Sequence, residues 1–190
     1  DLHAAQIQGY FDIPVDHLES SAIFIPYIES LYLPNLTFAA PDVGSANRIR
    51  EVATFFFSVM VICDKHRKRA NEIASMVVIG DVTDRDIVLI DDICDTGGTL
   101  TKSAGLMMEK GARSVRALCT HPVLSGKAYE NIQNSVLNEL VVCDTIPVKP
   151  YCDKIKILST DELFAVTIRN AYENKSINSL FIRGRAKLEK

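Results

Sequence analysis

Ile87-Val-Leu-Ile-Asp-Asp-Ile-Cys-Asp-Thr-Gly-Gly-Thr-Leu100 decides the fold. Its four apolar residues, Ile87 to Ile90, lack polar alternation, as a parallel strand covered on both faces requires. Beyond Thr99, Leu100, Ala104, Met107 and Met108 return at helical spacing, so the stretch reads as strand, turn and helix. Such a turn lies at the carboxyl end of a strand, where open α/β sheets bind ligands. Thr96 and Thr99 offer hydroxyls, Gly97 and Gly98 allow close backbone approach, and the first N–H groups of the helix face the loop. A phosphate suits that cradle. Asp91 and Asp92 would repel a phosphate they faced, so they are expected to accept hydrogen bonds from sugar hydroxyls or to hold a metal beside it. Phosphate at one end and a diol at the other describe a ribose 5-phosphate, with Asp95 to Thr99 on the phosphate. The Walker pattern fits less well, because no Gly-Lys-Ser/Thr follows the glycines.

Working outward, Leu36–Ala40, Val59–Cys63, Val115–Thr120 and Leu140–Cys143 are further short apolar runs that read as buried strands. Between them, 43–57, 98–110 and 126–133 read as helices, with Gly111 as a stop after Lys110. Strands alternating with helices imply parallel βαβ units. The expected fold is therefore α/β, an open, mainly parallel sheet with helices on both faces, formed by residues 1–190 as one domain. A final amphipathic helix is predicted over 159–174, with Ser159 and Glu162 at capping-box spacing and Leu163, Val166, Ile168 and Ala171 turned inward. Residues 147–151 form a short connection, and the basic tail 183–190 reads as a solvated terminus.

With 190 residues, 47% of them hydrophobic, the chain can bury a substantial core. A net charge of −3 offers no global attraction to nucleic acid or to an anionic membrane, so neither is an expected partner, and an anionic ligand must be held by local geometry. Five scattered cysteines without CxxC spacing read as buried thiols of a reducing cytoplasm. With no basic-then-apolar leader pattern and no apolar run of about 18 residues in the sequence, neither secretion nor membrane insertion is expected. The chain begins without Met and directly in a motif, from which a fragment is expected.

The run 87–100 resembles the phosphoribosyl-diphosphate (PRPP) binding motif, an apolar strand followed by Asp-Asp-x-x-Asp-Thr-Gly-Gly-Thr, shared by type I phosphoribosyltransferases and PRPP synthetases. The other end of the chain distinguishes the two. Asp1-Leu-His-Ala-Ala-Gln-Ile-Gln-Gly-Tyr-Phe-Asp-Ile-Pro-Val-Asp16 resembles the signature of class I ribose-phosphate diphosphokinases, the PRPP synthetases, which phosphoribosyltransferases lack. Residues 40–44, 64–67, 120–126 and 139–142 resemble further segments of that family in the same order, so the similarity covers nearly the whole chain. It implies a phosphoribosyltransferase-like fold, with the chain as the C-terminal part of a longer enzyme whose N-terminal α/β domain supplies most adenine contacts. It also implies the reaction: the diphosphoryl group of ATP passes to the C1 hydroxyl of ribose 5-phosphate with Mg²⁺, giving PRPP and AMP for nucleotide biosynthesis. Two rivals remain, a type I phosphoribosyltransferase and a non-catalytic regulatory homologue.

The resemblance assigns roles residue by residue. Asp64-Lys-His-Arg-Lys-Arg69 corresponds to the flexible catalytic loop, with Lys65 and Arg67 acting on the transferring group. A mobile point charge beside a planar fork suits migrating negative charge. Pro41-Asp-Val-Gly-Ser45 resembles the pyrophosphate loop, so Asp42, Gly44 and Ser45 are candidates for ATP and diphosphate, as are Asp1 and His3. His3 and Asp42 are the implied Mg²⁺ contacts. Gln8, Asp16, Ser176 and Phe181 correspond to a regulatory site between subunits, and the family assembles as a dimer-based hexamer. The chain departs from the family pattern at Ser45 (usually Gly), His66 (commonly Arg), His17 (Asn) and Asn178 (Ser), so regulation by ADP or phosphate does not follow automatically.

Overall fold

A computed structural model of the chain describes residues 1–66 and 75–181. Its frame is a seven-stranded sheet: β1 Leu36–Ala40, β2 Val59–His66, β3 Ser75–Ile79, β4 Asp86–Cys94, β5 Ser114–Pro122, β6 Leu140–Cys143 and β7 Ile155–Leu158. The spatial order is β3-β2-β1-β4-β5-β6-β7. Every pairing is parallel except β2 with β3 at one edge. The helices are α1 Ser21–Ser30, α2 Ala46–Phe55, α3 Gly98–Glu109, α4 Ala128–Gln133 and α5 Asp161–Tyr172, and short 3₁₀ turns lie at Ala5–Tyr10 and Asn178–Leu180.

Alternation along the strands divides the core in two. Ala39, Ile87, Leu89, Val115, Ala117 and Cys119 pack against Leu100, Ala104 and Met107 of α3 and Ala128 and Ile132 of α4. Phe38, Ala40, Val88, Ile90, Leu118 and Val141 pack on the opposite face against Phe24, Ile25 and Ile28 of α1 and Ile49, Val52 and Ala53 of α2. With both faces covered, β4 has no wet side. That accounts for its uninterrupted apolar run.

From β1 the chain runs through α2 to β2, toward one edge; from β4 it runs through α3 to β5, toward the other. Right-handed crossovers in opposite directions place α2 and α3 on opposite faces. The sheet therefore has a topological switch point between β1 and β4, and the loops leaving both strands open into one crevice at its carboxyl edge.

The five expected strands are present, and the expected open, mainly parallel α/β architecture is borne out. Gly111, at φ +91°, follows the end of α3 as its place after Lys110 predicts. Other details differ. α1, β3 and β7 were not anticipated. β7 is an edge strand with only its end residues half-buried and Lys156 within it, so it has no continuous apolar run. β4 continues past Ile90 to Cys94 because Asp91, Ile93 and Cys94 pair with Cys119, His121 and Pro122. The acidic pair thus lies in the strand rather than in the turn. β2 likewise runs past Cys63, with Asp64, Lys65 and His66 pairing with Val77, Met76 and Ser75.

The last helix begins two residues later than expected. Its N-cap is Thr160, and Asp144 at the end of β6 accepts from Ser159 Oγ (2.8 Å), Thr160 N–H (2.9 Å) and Thr160 Oγ1 (2.7 Å), which replaces the expected capping box. Thr167 is its buried residue; Leu163 and Val166 are half-buried, whereas Ile168 and Ala171 face outward.

At the amino edge of the sheet Asp86 is buried and holds β4 to β5. It accepts from Arg113 Nε at 3.1 Å, from a second Arg113 nitrogen, and from Ser114 Oγ at 2.6 Å. The Arg113 hydrogen bond holds its carboxyl below the ordinary range against the opposing effect of burial, and Ser114 adds to it. Asp86→Ala is expected to lower stability by about 2 kcal/mol and Tm by about 5 °C. A depressed folded pKa means that this contribution is full above the unfolded carboxylate value of about 3.9 and is lost as pH falls through the folded value. Urea denaturation at pH 7 and in strong acid should show the gap between wild type and variant closing at low pH.

Candidate functional site

The loop after β4 is the first wall of the crevice. Gly97, at φ +71°, turns the chain into α3, and a Cβ there would lie 3.3 Å from Cγ1 of the buried Ile132. Only glycine satisfies both constraints without strain. The turn's carbonyls are engaged: Cys94 O and Asp95 O accept from Leu124 and Ser125 N–H, each at 3.0 Å, and Gly97 O accepts from Thr101 N–H at 3.0 Å. Among the described residues, the N–H groups of Thr96 and Gly98 donate to no carbonyl or side chain. Gly97 N–H points to the Cys94 thiol, which burial pushes up to about 12 although that hydrogen bond opposes the shift. Two free amides at the first turn of a twelve-residue helix, flanked by the Thr96 hydroxyl, offer donors to an anion.

Asp91 and Asp92 form the crest between the two loops. Asp92 prolongs the row of Val88 and Ile90 toward α2. It is 7% exposed, and its Oδ2 lies 2.9 Å from His3 Nδ1 and 3.6 Å from an Arg48 nitrogen. Burial works to raise its pKa, yet His3, Asp91 and Arg48 together hold it below the ordinary carboxylate range. Among the described residues, no ion pair is made by Asp91. Burial first, then the hydrogen bond and charge of Asp92, with Asp42 adding, push it up to about 7. Near neutrality it can donate as well as accept, whereas Asp92 accepts, so the pair suits a vicinal diol.

The loop after β1 forms the opposite wall. Asp42 Oδ1 accepts from Ser45 N–H at 2.9 Å, and Ser45 Oγ donates to the Asp42 carbonyl at 3.0 Å. The extra hydroxyl of Ser45 thus closes the loop on itself, while Gly44 leaves the Asp42 carboxylate room: a Cβ there would lie 3.3 Å from its Oδ1. Arg48, one turn into α2, is the residue that the sequence reading missed. Its signal was a cation six residues after Asp42, on the helix that the loop feeds.

The remaining candidates are distributed unevenly. Asp1 faces inward: its carboxylate accepts from Ser20 Oγ at 2.5 Å and from Thr120, and its carbonyl meets His121 Nε2 at 2.7 Å. His3 reaches Asp92, and Asp42 acts on Asp91. Among the described residues no three His, Cys, Asp or Glu side chains form a group able to hold a metal ion. A metal held here by Asp42 and His3 alone would need water and substrate phosphates to complete its shell, as Mg²⁺ commonly takes them. Lys65 lies at the end of β2, on the same carboxyl edge, and Arg67 lies outside the described residues. Asp16, Ser176 and Phe181 line a separate cavity of about 490 Å³ beside Asn178. Gln8 does not line it, and its Nε2 donates to the Ala5 carbonyl at 3.1 Å.

Against known proteins, residues 48–182 match the family model of the phosphoribosyl synthetase-associated domain. The chain belongs to this family. It is 53% identical over 182 residues to a ribose-phosphate pyrophosphokinase of Campylobacter jejuni and 51% identical over 182 residues to one of Wolinella succinogenes, covering 96% of this chain in each case. It spans 59% of the length of either relative. The crystal structure of phosphoribosylpyrophosphate synthetase from Mycobacterium smegmatis superposes with a TM-score of 0.84 at 33% identity, over 92% of this chain and 57% of that one. The resemblance to PRPP synthetases and the phosphoribosyltransferase-like fold are therefore borne out. Among the described residues no helix is long and apolar enough to cross a membrane.

In this family member Gly97→Ala adds a methyl against Ile132 at a left-handed backbone position. We expect a loss of about 1–2 kcal/mol in urea denaturation. We also expect the N–H resonances of Thr96 and Gly98 to shift, since the turn must open to admit the methyl.

Proposed function

We propose that the chain carries the ribose-phosphate and metal-nucleotide half of a PRPP synthetase, which transfers the diphosphoryl group of ATP to the C1 hydroxyl of ribose 5-phosphate and releases AMP. One observation supports this most: two anion-sized loops flank a buried carboxylate pair at a single switch point, in a chain about half identical to proteins named for that activity. In this reading Asp95 to Thr99 hold the 5-phosphate through the amides of Thr96 and Gly98 and the threonine hydroxyls. Asp91 and Asp92 fix the ribose hydroxyls, with Arg48 and His3 keeping Asp92 ionised. Asp42, Gly44 and Ser45 face the nucleotide diphosphate, with Asp1 buttressing the strand ends behind them. Mg²⁺, when bound through Asp42 and His3, supplies charge neutralisation on the phosphate oxygens. Lys65 and Arg67 stabilise the charge that builds on the transferring group, so their effect falls on kcat more than on sugar binding.

The sugar is held from β4 and the nucleotide from β1, so the two arrive from opposite sides of one crest. In-line attack requires that placement, and fixing it removes the entropy of finding it. Buried cysteines outside any disulfide at Cys63, Cys94, Cys119, Cys143 and Cys152 suit a cytoplasmic enzyme of nucleotide biosynthesis. The cavity at Asp16, Ser176 and Phe181 is the counterpart of the regulatory site, completed by a neighbouring subunit in a dimer-based hexamer.

The 190-residue chain should bind ribose 5-phosphate weakly and make little or no PRPP, because adenine contacts come from a preceding domain. Isothermal titration with ribose 5-phosphate and an AMP-release assay on the same preparation test this. Robust turnover would show that the chain contains a complete ATP site, and absence of sugar-phosphate binding would overturn the assignment of Asp91 to Thr99.

A further inference from the structure

The turn 95–99 does not hold its own shape. Four successive carbonyls, those of Cys94, Asp95, Thr96 and Gly97, are each pinned by a donor. Leu124 N–H takes Cys94 O and Ser125 N–H takes Asp95 O, both at 3.0 Å; Asn131 Nδ2 takes Thr96 O at 3.0 Å; Thr101 takes Gly97 O through its N–H at 3.0 Å and its Oγ1 at 2.9 Å. In a trans peptide the C=O and the following N–H point in opposite directions, and no cis bond occurs among the described residues. Pinning each carbonyl therefore aims the next amide, from Asp95 to Gly98, away from its donor. Two of the four pins come from the segment between β5 and α4 and a third from α4 itself, about thirty residues further along the chain.

That segment is itself constrained. Leu124 sits at φ +49°, a left-handed conformation that costs a branched side chain about 1 kcal/mol, and it is buried there with its N–H spent on Cys94. Strain of this kind persists where surrounding structure over-determines it. Next to it Ser125 Oγ donates to the Asp95 carboxylate, the one negative charge within the turn. An unrestrained aspartate readily accepts from backbone N–H groups two residues ahead. Here those groups belong to the anion cradle.

We infer that Ser125 and Asn131 are positioning residues of the phosphate site. Asn131 sets the Thr96–Gly97 peptide plane, and Ser125 keeps the Asp95 carboxylate from occupying the turn in place of a phosphate. Neither side chain is required to touch the ligand. This rests on the reading of Asp95 to Thr99 as the phosphate cradle, and goes beyond it by assigning the cradle's shape to α4 and its approach.

Titration of ¹⁵N-labelled chain with inorganic phosphate and with ribose 5-phosphate, followed at the Thr96 and Gly98 amides, tests it. In wild type both amides should shift. Ser125→Ala and Asn131→Ala should each raise Kd for ribose 5-phosphate by about five- to tenfold, the equivalent of one neutral hydrogen bond. Ser125→Thr, which keeps the hydroxyl, should restore wild-type affinity, a rescue that general destabilisation would not produce. Phosphate-responsive amides in wild type with unchanged Kd in both alanine variants would overturn the positioning roles and leave the site intact. Amides in wild type that ignore both ligands would remove the phosphate cradle, and this inference with it.

Discussion

Burial of β4 on both faces is the constraint from which the rest of the molecule follows. Ile87, Val88 and Leu89 are fully buried and Ile90 nearly so, with one row under α3 and α4 and the other under α1 and α2. A strand in that position cannot carry a polar side chain until it emerges from the layers. It emerges at Asp91, at the carboxyl edge and beside the switch point. The acidic pair sits at that edge because residues 87–90 beneath it are enclosed on both faces.

Two adjacent carboxylates at such a place cannot both ionise cheaply. The structure treats them differently. Among the described residues, Asp92 receives His3 from the N-terminal segment and Arg48 from α2, whereas Asp91 is left with burial and the neighbouring carboxyl groups of Asp92 and Asp42. The difference comes from topology: Asp92 continues the strand row that faces α2, so only it lies within reach of Arg48. A sugar hydroxyl that bridges the pair would meet one group able to donate and one that only accepts.

Much of this was legible in the chain itself. The uninterrupted apolar run 87–90 indicated a doubly covered strand, the apolar returns after Thr99 indicated α3, and Gly97 indicated a tight, close-packed turn. These are local signals whose meaning does not depend on a partner. The misreadings were of another kind. Asp91 and Asp92 looked like turn residues because carboxylates are rare in central strands, and only pairing with β5 shows that the strand continues beneath them. β7 was invisible because an edge strand shows half-exposed residues in place of an apolar run. Ser159 gave way as a cap because Asp144 arrives from β6.

The sequence by itself determined the strand–turn–helix, the acidic pair and the glycine turn, because period, composition and backbone freedom act over a few neighbouring residues. Only the tertiary structure decided that Arg48 and His3 converge on Asp92 and that Leu124, Ser125 and Asn131 shape a turn about thirty residues away. Those outcomes depend on distances between elements, and an interaction that falls steeply with distance has no signature along the chain until the fold brings its partners together.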